Sequence, residues 1–175
     1  MQWLKAADYR RTPWKNGGGV TAEIAVFPAA AGLDDFGWRL SMAAVAADGP
    51  FSTFPSIDRT LTVLSGRLAL NGHPLGPKDP PFAFDGDMAV DASLMDGPVT
   101  DLNVMTRQGH FCHHVERRTL RAGETMAAKG GPLFAIALVA GVAGLGQWDT
   151  LALSQDDVVI VCAGGPALLV RIWAT

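Results

Sequence analysis

Hydrophobic and polar residues alternate in short runs along most of the chain, and glycine- and proline-bearing turns separate the runs. One run stands at the centre. A turn at Asp48-Gly49-Pro50 leads through an elbow carrying Phe51 and Phe54 into Arg59-Thr60-Leu61-Thr62-Val63-Leu64, closed by Ser65-Gly66. A period of two puts Arg59, Leu61 and Val63 on one side of this strand and Thr60, Thr62 and Leu64 on the other. Trp38 to Ala43 splits the same way, with Trp38, Leu40 and Met42 opposite Arg39, Ser41 and Ala43. Val99 to Met105 sets Asp101, Asn103 and Met105 against Leu102 and Val104. Further strands are predicted at residues 3–4, 20–27, 67–70, 82–84, 88–90, 118–122, 132–139, 148–153, 157–162 and 165–173. The proline-rich stretch 73–81 is predicted to be a loop. Ala43 to Ala47 has helix propensity, but Val45 and the turn behind it favour a strand that ends there. Capped helices are nearly absent, so the chain reads as all-β with little helix.

The pattern also repeats. Gly165-Pro166 and the run to Trp173 echo Gly97-Pro98 and the run to Met105, and Leu151-x-Leu153-x-x-Asp156 echoes Phe82-x-Phe84-x-x-Asp87. The expectation is two antiparallel barrels, or one sandwich of two repeats. The halves are placed at 1–115 and 116–175, with strands shared across the boundary. They differ in chemistry. Where the first offers Asp101 and Asn103, the second offers Leu169 and Arg171. The first also carries Arg59 and the loop Trp14-Lys15-Asn16, so a ligand is expected there.

Composition narrows the choices. The 175 residues are 49% hydrophobic, which supports a packed core and argues against disorder. A formal net charge of −3 without a basic run makes nucleic acid a poor partner. Lys5, Asp8, Arg10 and Arg11 interrupt the N-terminal region before any apolar run forms, and residues 132–146 are too short to span a bilayer. A cytoplasmic protein is expected, with no membrane partner and with Cys112 and Cys162 as reduced thiols.

Three familiar chemistries are weighed on spacing. Gly17-Gly18-Gly19 invites a phosphate loop, but no GxxxxGK[ST] is present and no helix follows. The alternatives are a plain turn, or a loop that delivers Trp14, Lys15 and Asn16 to a pocket. His110, Cys112 and His114 would share one face of an extended strand and form a soft-metal trio; the bland reading is an ordinary polar link between the repeats. Nucleophilic catalysis lacks a GxSxG elbow.

Taken in order, Pro13 to Gly19 (PWKNGGG), Trp38 to Ser41 (W-R-x-S), Gly49 to Arg59 (GPFS-x-FP-x-x-DR), Phe84 to Asp87 (F-x-G-D) and Asp101 to Met105 (D-x-N-V-M) resemble the HutD/Ves family. The resemblance implies a bicupin fold, two jelly-roll-like barrels in one compact chain. It also implies a non-catalytic regulator of bacterial histidine utilisation that senses urocanate or N-formylglutamate. A metal-bearing cupin would show His-x-His and a Glu where this chain has Phe54 to Arg59, which holds no histidine. Arginine at that point repels a cation and suits a carboxylate. No metal and no cofactor are therefore expected.

The expected site holds a small carboxylate. Lys15 and Arg59 neutralise it, Asn16, Asn103 and Ser41 provide polar contacts, Trp14 forms an apolar wall, and Asp101 orients Arg59 or accepts an N–H. Two alternatives stand beside it. One is a metal-independent isomerase or hydrolase of a related acid, with Asp101 or Lys15 as base. The other is a structural or interaction module, with a homodimer as its natural assembly.

Overall fold

The computed structural model describes residues 1–14 and 17–175. Among the described residues seventeen strands run in chain order: β1 (Gln2–Leu4), β2 (Arg10–Pro13), β3 (Gly19–Phe27), β4 (Trp38–Val45), β5 (Gly49–Pro50), β6 (Ile57–Ser65), β7 (Leu68–Leu70), β8 (His73–Leu75), β9 (Phe82–Asp85), β10 (Asp91–Leu94), β11 (Val99–Arg107), β12 (Phe111–Leu120), β13 (Thr125–Ala127), β14 (Leu133–Ala137), β15 (Thr150–Leu153), β16 (Val158–Ile160) and β17 (Gly165–Ala174). The only helical segments among the described residues are 3₁₀ turns at Ala6–Asp8 and Val142–Gly144. Among the described residues no helix is long and apolar enough to cross a membrane. The all-β expectation holds.

Two compact units form. One is Arg10–His110; the other joins Met1–Tyr9 to Phe111–Thr175. The division expected at 115/116 thus differs in two places. Phe111 to Val115 belong to β12, which runs unbroken to Leu120 against β17. The first strand, β1, pairs with β15 in the C-terminal unit.

In the Arg10–His110 unit a six-stranded sheet has the order β2-β3-β4-β11-β6-β9, and a four-stranded sheet the order β5-β10-β7-β8. Between them lies a core of Ala43, Val45, Leu61, Val63, Leu68, Leu70, Val90 and Val99. In the other unit the order is β1-β15-β14-β17-β12, with β13-β16 as a separate pair. The repeat read from the sequence reappears here as topology. The order β4-β11-β6-β9 matches β12-β17-β14-β15, so the first, fourth, second and third strands of each set are neighbours. The echoing segments occupy equivalent places, β11 with β17 and β9 with β15. The core of this unit includes Leu120, Leu133, Ala135, Leu151, Leu153 and Leu169.

Several strand assignments change, three of them for reasons visible in the chain. The stretch 73–81 contains β8, whose Pro74 sits on an edge strand paired to β7 alone, where a missing N–H costs no ladder bond. Met88 to Val90 is not a strand. The Asp85 turn continues through it, with the Met88 amide donating to the Asp85 carbonyl, and the strand starts at Asp91. Residues 10–13, left unassigned, form β2 against β3.

Candidate ligand pocket

The register of the six-stranded sheet aligns its inward side chains in rows. Glu23, Ser41 and Asn103 are cross-strand neighbours, and so are Arg39, Met105, Arg59 and Phe84. Apart from Phe84, these two rows floor a cavity of about 670 Å³ in the Arg10–His110 unit. Trp14, Phe51, Phe54 and Leu33 contribute its walls, and Arg10 reaches it from β2.

Arg59 is the group around which the floor is built. It is 5% exposed. Its Nη1 donates to the Ser52 carbonyl at 2.9 Å and its Nη2 to the Asn103 Oδ1 at 3.1 Å. Its Nε has no partner among the described residues. Phe51, Phe54 and Phe84 surround the guanidinium, with ring centroids 5.9, 5.3 and 4.9 Å from Cζ. Faces of three rings stabilise a cation without quenching its hydrogen-bonding capacity. Burial nevertheless pulls the Arg59 pKa down to about 10, and the negative charge of Asp101 opposes that fall.

Behind Asn103 lies Asp101, fully buried. Asn103 Nδ2 donates to Asp101 Oδ1 at 2.5 Å. Arginine can only donate, so it fixes the amide oxygen of Asn103 toward itself and turns the amide nitrogen toward the carboxyl. The second carboxyl oxygen, Oδ2, has no partner among the described residues. Burial pushes the Asp101 pKa up to about 7, against the lowering pull of Arg59.

A second charged group lines the cavity. Glu23 accepts from Arg39 Nε at 2.9 Å and from Arg10 Nη2 at 3.0 Å. Arg39 is therefore matched by a carboxylate, whereas Arg59 donates to neutral oxygens.

The glycine triplet has a structural task. Trp14 donates through its backbone to the Gly19 carbonyl and through Nε1 to Thr21 Oγ1 at 2.8 Å. A Cβ on Gly19 would meet the Ala44 carbonyl oxygen at 2.6 Å and the Trp14 ring at 3.0 Å. Glycine at 19 thus lets the indole lie across the strand, edge-on to Phe51 with centroids 6.3 Å apart.

Of the residues expected at the site, Trp14, Ser41, Arg59 and Asn103 line the cavity together. Asp101 stands one layer behind Asn103 instead of on the wall, so it cannot touch a ligand directly. It reaches Arg59 through Asn103. Lys15 and Asn16 lie outside the described residues. Glu23, Arg10, Met105 and the cavity-lining place of Phe51 and Phe54 were missed. Glu23 is hidden by a register shift between Glu23 and Ala25 on β3, which breaks the period of two. The metal alternative is not assembled. His110 sits in the turn before β12, its amide donating to the Arg107 carbonyl, so the strand alternation that joined it to Cys112 and His114 does not apply. Among the described residues no group of three His, Cys, Asp or Glu side chains could hold a metal ion.

Comparison with known proteins places these features in context. The family model described as HutD matches residues 6–172. A 21.2 kDa protein from the hutC 3′ region of Pseudomonas putida is 46% identical over 110 residues, 60% of this chain and 57% of that protein's length. Protein Ves of Citrobacter koseri is 40% identical over 74% of this chain and 71% of its own. The solved HutD of Pseudomonas fluorescens SBW25 superposes with a TM-score of 0.79 at 30% identity, covering 99% of this chain and 98% of that one. A conserved protein of unknown function from Pseudomonas aeruginosa PAO1 reaches 0.84 at 31%, with 98% of each chain covered. A cupin 2 conserved barrel protein from Leptotrichia buccalis shares the fold, with a TM-score of 0.58 at 8% identity over 98% of this chain and 100% of that one.

Proposed function

The chain belongs to the HutD family, and from that premise we propose that it binds a small organic carboxylate on Arg59, as a non-catalytic regulator in bacterial histidine utilisation. One observation carries the reading. A buried guanidinium faces a cavity while its acceptors, the Ser52 carbonyl and the Asn103 amide, are both neutral. A buried cation without a directly bonded anion is costly, and a ligand carboxylate would supply the missing countercharge and a donor-matched oxygen. Trp14, Phe51, Phe54 and Met105 would enclose the apolar body of the ligand, as small-molecule sites generally require. Urocanate and N-formylglutamate are the ligands we put forward. The chain's membership of the family, together with a relative from the hutC region, supports that choice.

Titration calorimetry with both compounds tests it. Arg59→Met is expected to weaken binding by about 100-fold or more, in line with truncating one partner of a buried charge pair. Equal affinity in wild type and Arg59→Met would overturn the assignment.

An enzymatic role on a related acid is the second reading, and the raised Asp101 pKa favours it, since a base poised near neutrality suits proton transfer. Asn103 stands between that carboxyl and the cavity, which weighs against it. Turnover of either acid, lost in Asp101→Asn while binding survives, would establish catalysis.

A further inference from the structure

We propose that Asp101 is a positioning residue that takes up a proton when a carboxylate docks on Arg59, so that ligand affinity is coupled to pH without Asp101 touching the ligand. The inference rests on the carboxylate reading above and deepens it.

The coupling follows from three placements. Asp101 is fully buried, it is linked to Arg59 by one intervening amide, and one of its oxygens lacks any donor among the described residues. An ionised carboxylate needs donors on both oxygens, and here one is provided. What favours the ionised form is the positive charge of Arg59. A ligand carboxylate on Arg59 would cancel that field and add a negative charge of its own. Both changes favour the protonated acid.

Among the described residues, other charges do not replace Arg59. On the neighbouring strands, Arg39 of β4 and Glu23 of β3 are already paired with each other. Across the core, the small sheet presents Leu68, Leu70, Leu75 and Ala92. Its titratable groups, His73 on β8 and Asp91 on β10, are exposed.

The sign can be stated. The unliganded carboxyl titrates near neutrality, so below that range it is already protonated and binding moves no proton. Above it, binding draws a proton from solution. Affinity should fall as pH rises from 7, by up to tenfold per unit for one proton, because linkage between ligand and proton is reciprocal.

Calorimetry on the full chain at pH 8, run in phosphate and in Tris, reads the proton directly through the difference in buffer ionisation heat. N-Formylglutamate is the probe, since its carboxylates stay ionised throughout. Wild type should take up between 0.3 and 1 proton, on the order set by one titrating site. Asp101→Asn, which mimics the neutral acid, should bind with no buffer dependence and with affinity flat from pH 6 to 8.5. Binding by wild type with no proton uptake, or uptake that persists in Asp101→Asn, overturns the coupling alone. Absence of binding by N-formylglutamate, urocanate and formate overturns the carboxylate reading and the coupling with it. Circular dichroism of the variant secures that it is folded.

Discussion

A carboxyl and a guanidinium sharing one buried amide make opposite demands on the fold. Arg59 stays charged because three phenylalanine faces and two carbonyl-type oxygens replace water around it. Asp101 has fewer donors and is pushed toward its neutral form. Its pKa of about 7 lies above the ordinary value of 3.8. The native state therefore holds a proton that the unfolded chain has released over that interval. The contribution favours folding below about pH 4 and is lost as pH rises toward 7. Wild type should lose on the order of 3 kcal/mol of stability from this residue across the interval. Asp101→Asn should flatten that part of the profile. Urea denaturation midpoints from pH 4 to 8 check it, and parallel profiles for the two proteins would contradict it.

Among the elements, β3 and the segment before it decide whether the pocket has a wall. Gly19→Ala places a methyl against the Ala44 carbonyl and the Trp14 ring. The expected outcome is a loss of about 1–3 kcal/mol by thermal denaturation, with weaker carboxylate binding because the indole is displaced. Thr21→Val removes the acceptor of the indole N–H and should cost about 1 kcal/mol with a smaller effect on binding. Elements such as β4, β6 and β11 were legible because each alternates cleanly: the splits that grouped Arg39 with Ser41, Arg59 with Leu61, and Asp101 with Asn103 and Met105 agree with the observed register. What escaped reading has specific causes. The irregularity in β3 concealed Glu23. Proline at 74 concealed an edge strand. A period of two also gives direction but not depth, so it could not tell that Asp101 lies behind Asn103 and not beside it. Phe51 and Phe54 were legible only as part of an elbow, and in the structure they pack around a cation.

At the scale of the molecule, the same strand order is used twice with different contents. β11 carries Asp101 and Asn103 inward, while β17 puts Leu169 into a close-packed apolar core and leaves Arg171 to donate to the Ala127 carbonyl. The C-terminal unit thus places apolar side chains where its counterpart carries Asp101 and Asn103. Tyr9 closes this unit, donating to the Trp148 carbonyl at 2.9 Å and lying 2.8 Å from Thr150 Oγ1. Burial, the larger effect, pushes its pKa up to about 12. Tyr9→Phe strands a buried threonine hydroxyl and should cost about 1–2 kcal/mol. Carboxylate calorimetry on the same variant is expected to match wild type, and a large loss of affinity would argue against the separation of tasks.

The pairing of β1 with β15 has a consequence for biosynthesis. A ribosome releases Gln2–Leu4 about 145 residues before the strand that will hold it. Every pairing partner within Arg10–His110 has emerged by then. The nascent chain can complete its pocket-bearing unit while β1 waits unpaired, and β15 must recruit that earlier-made strand to cover its own edge.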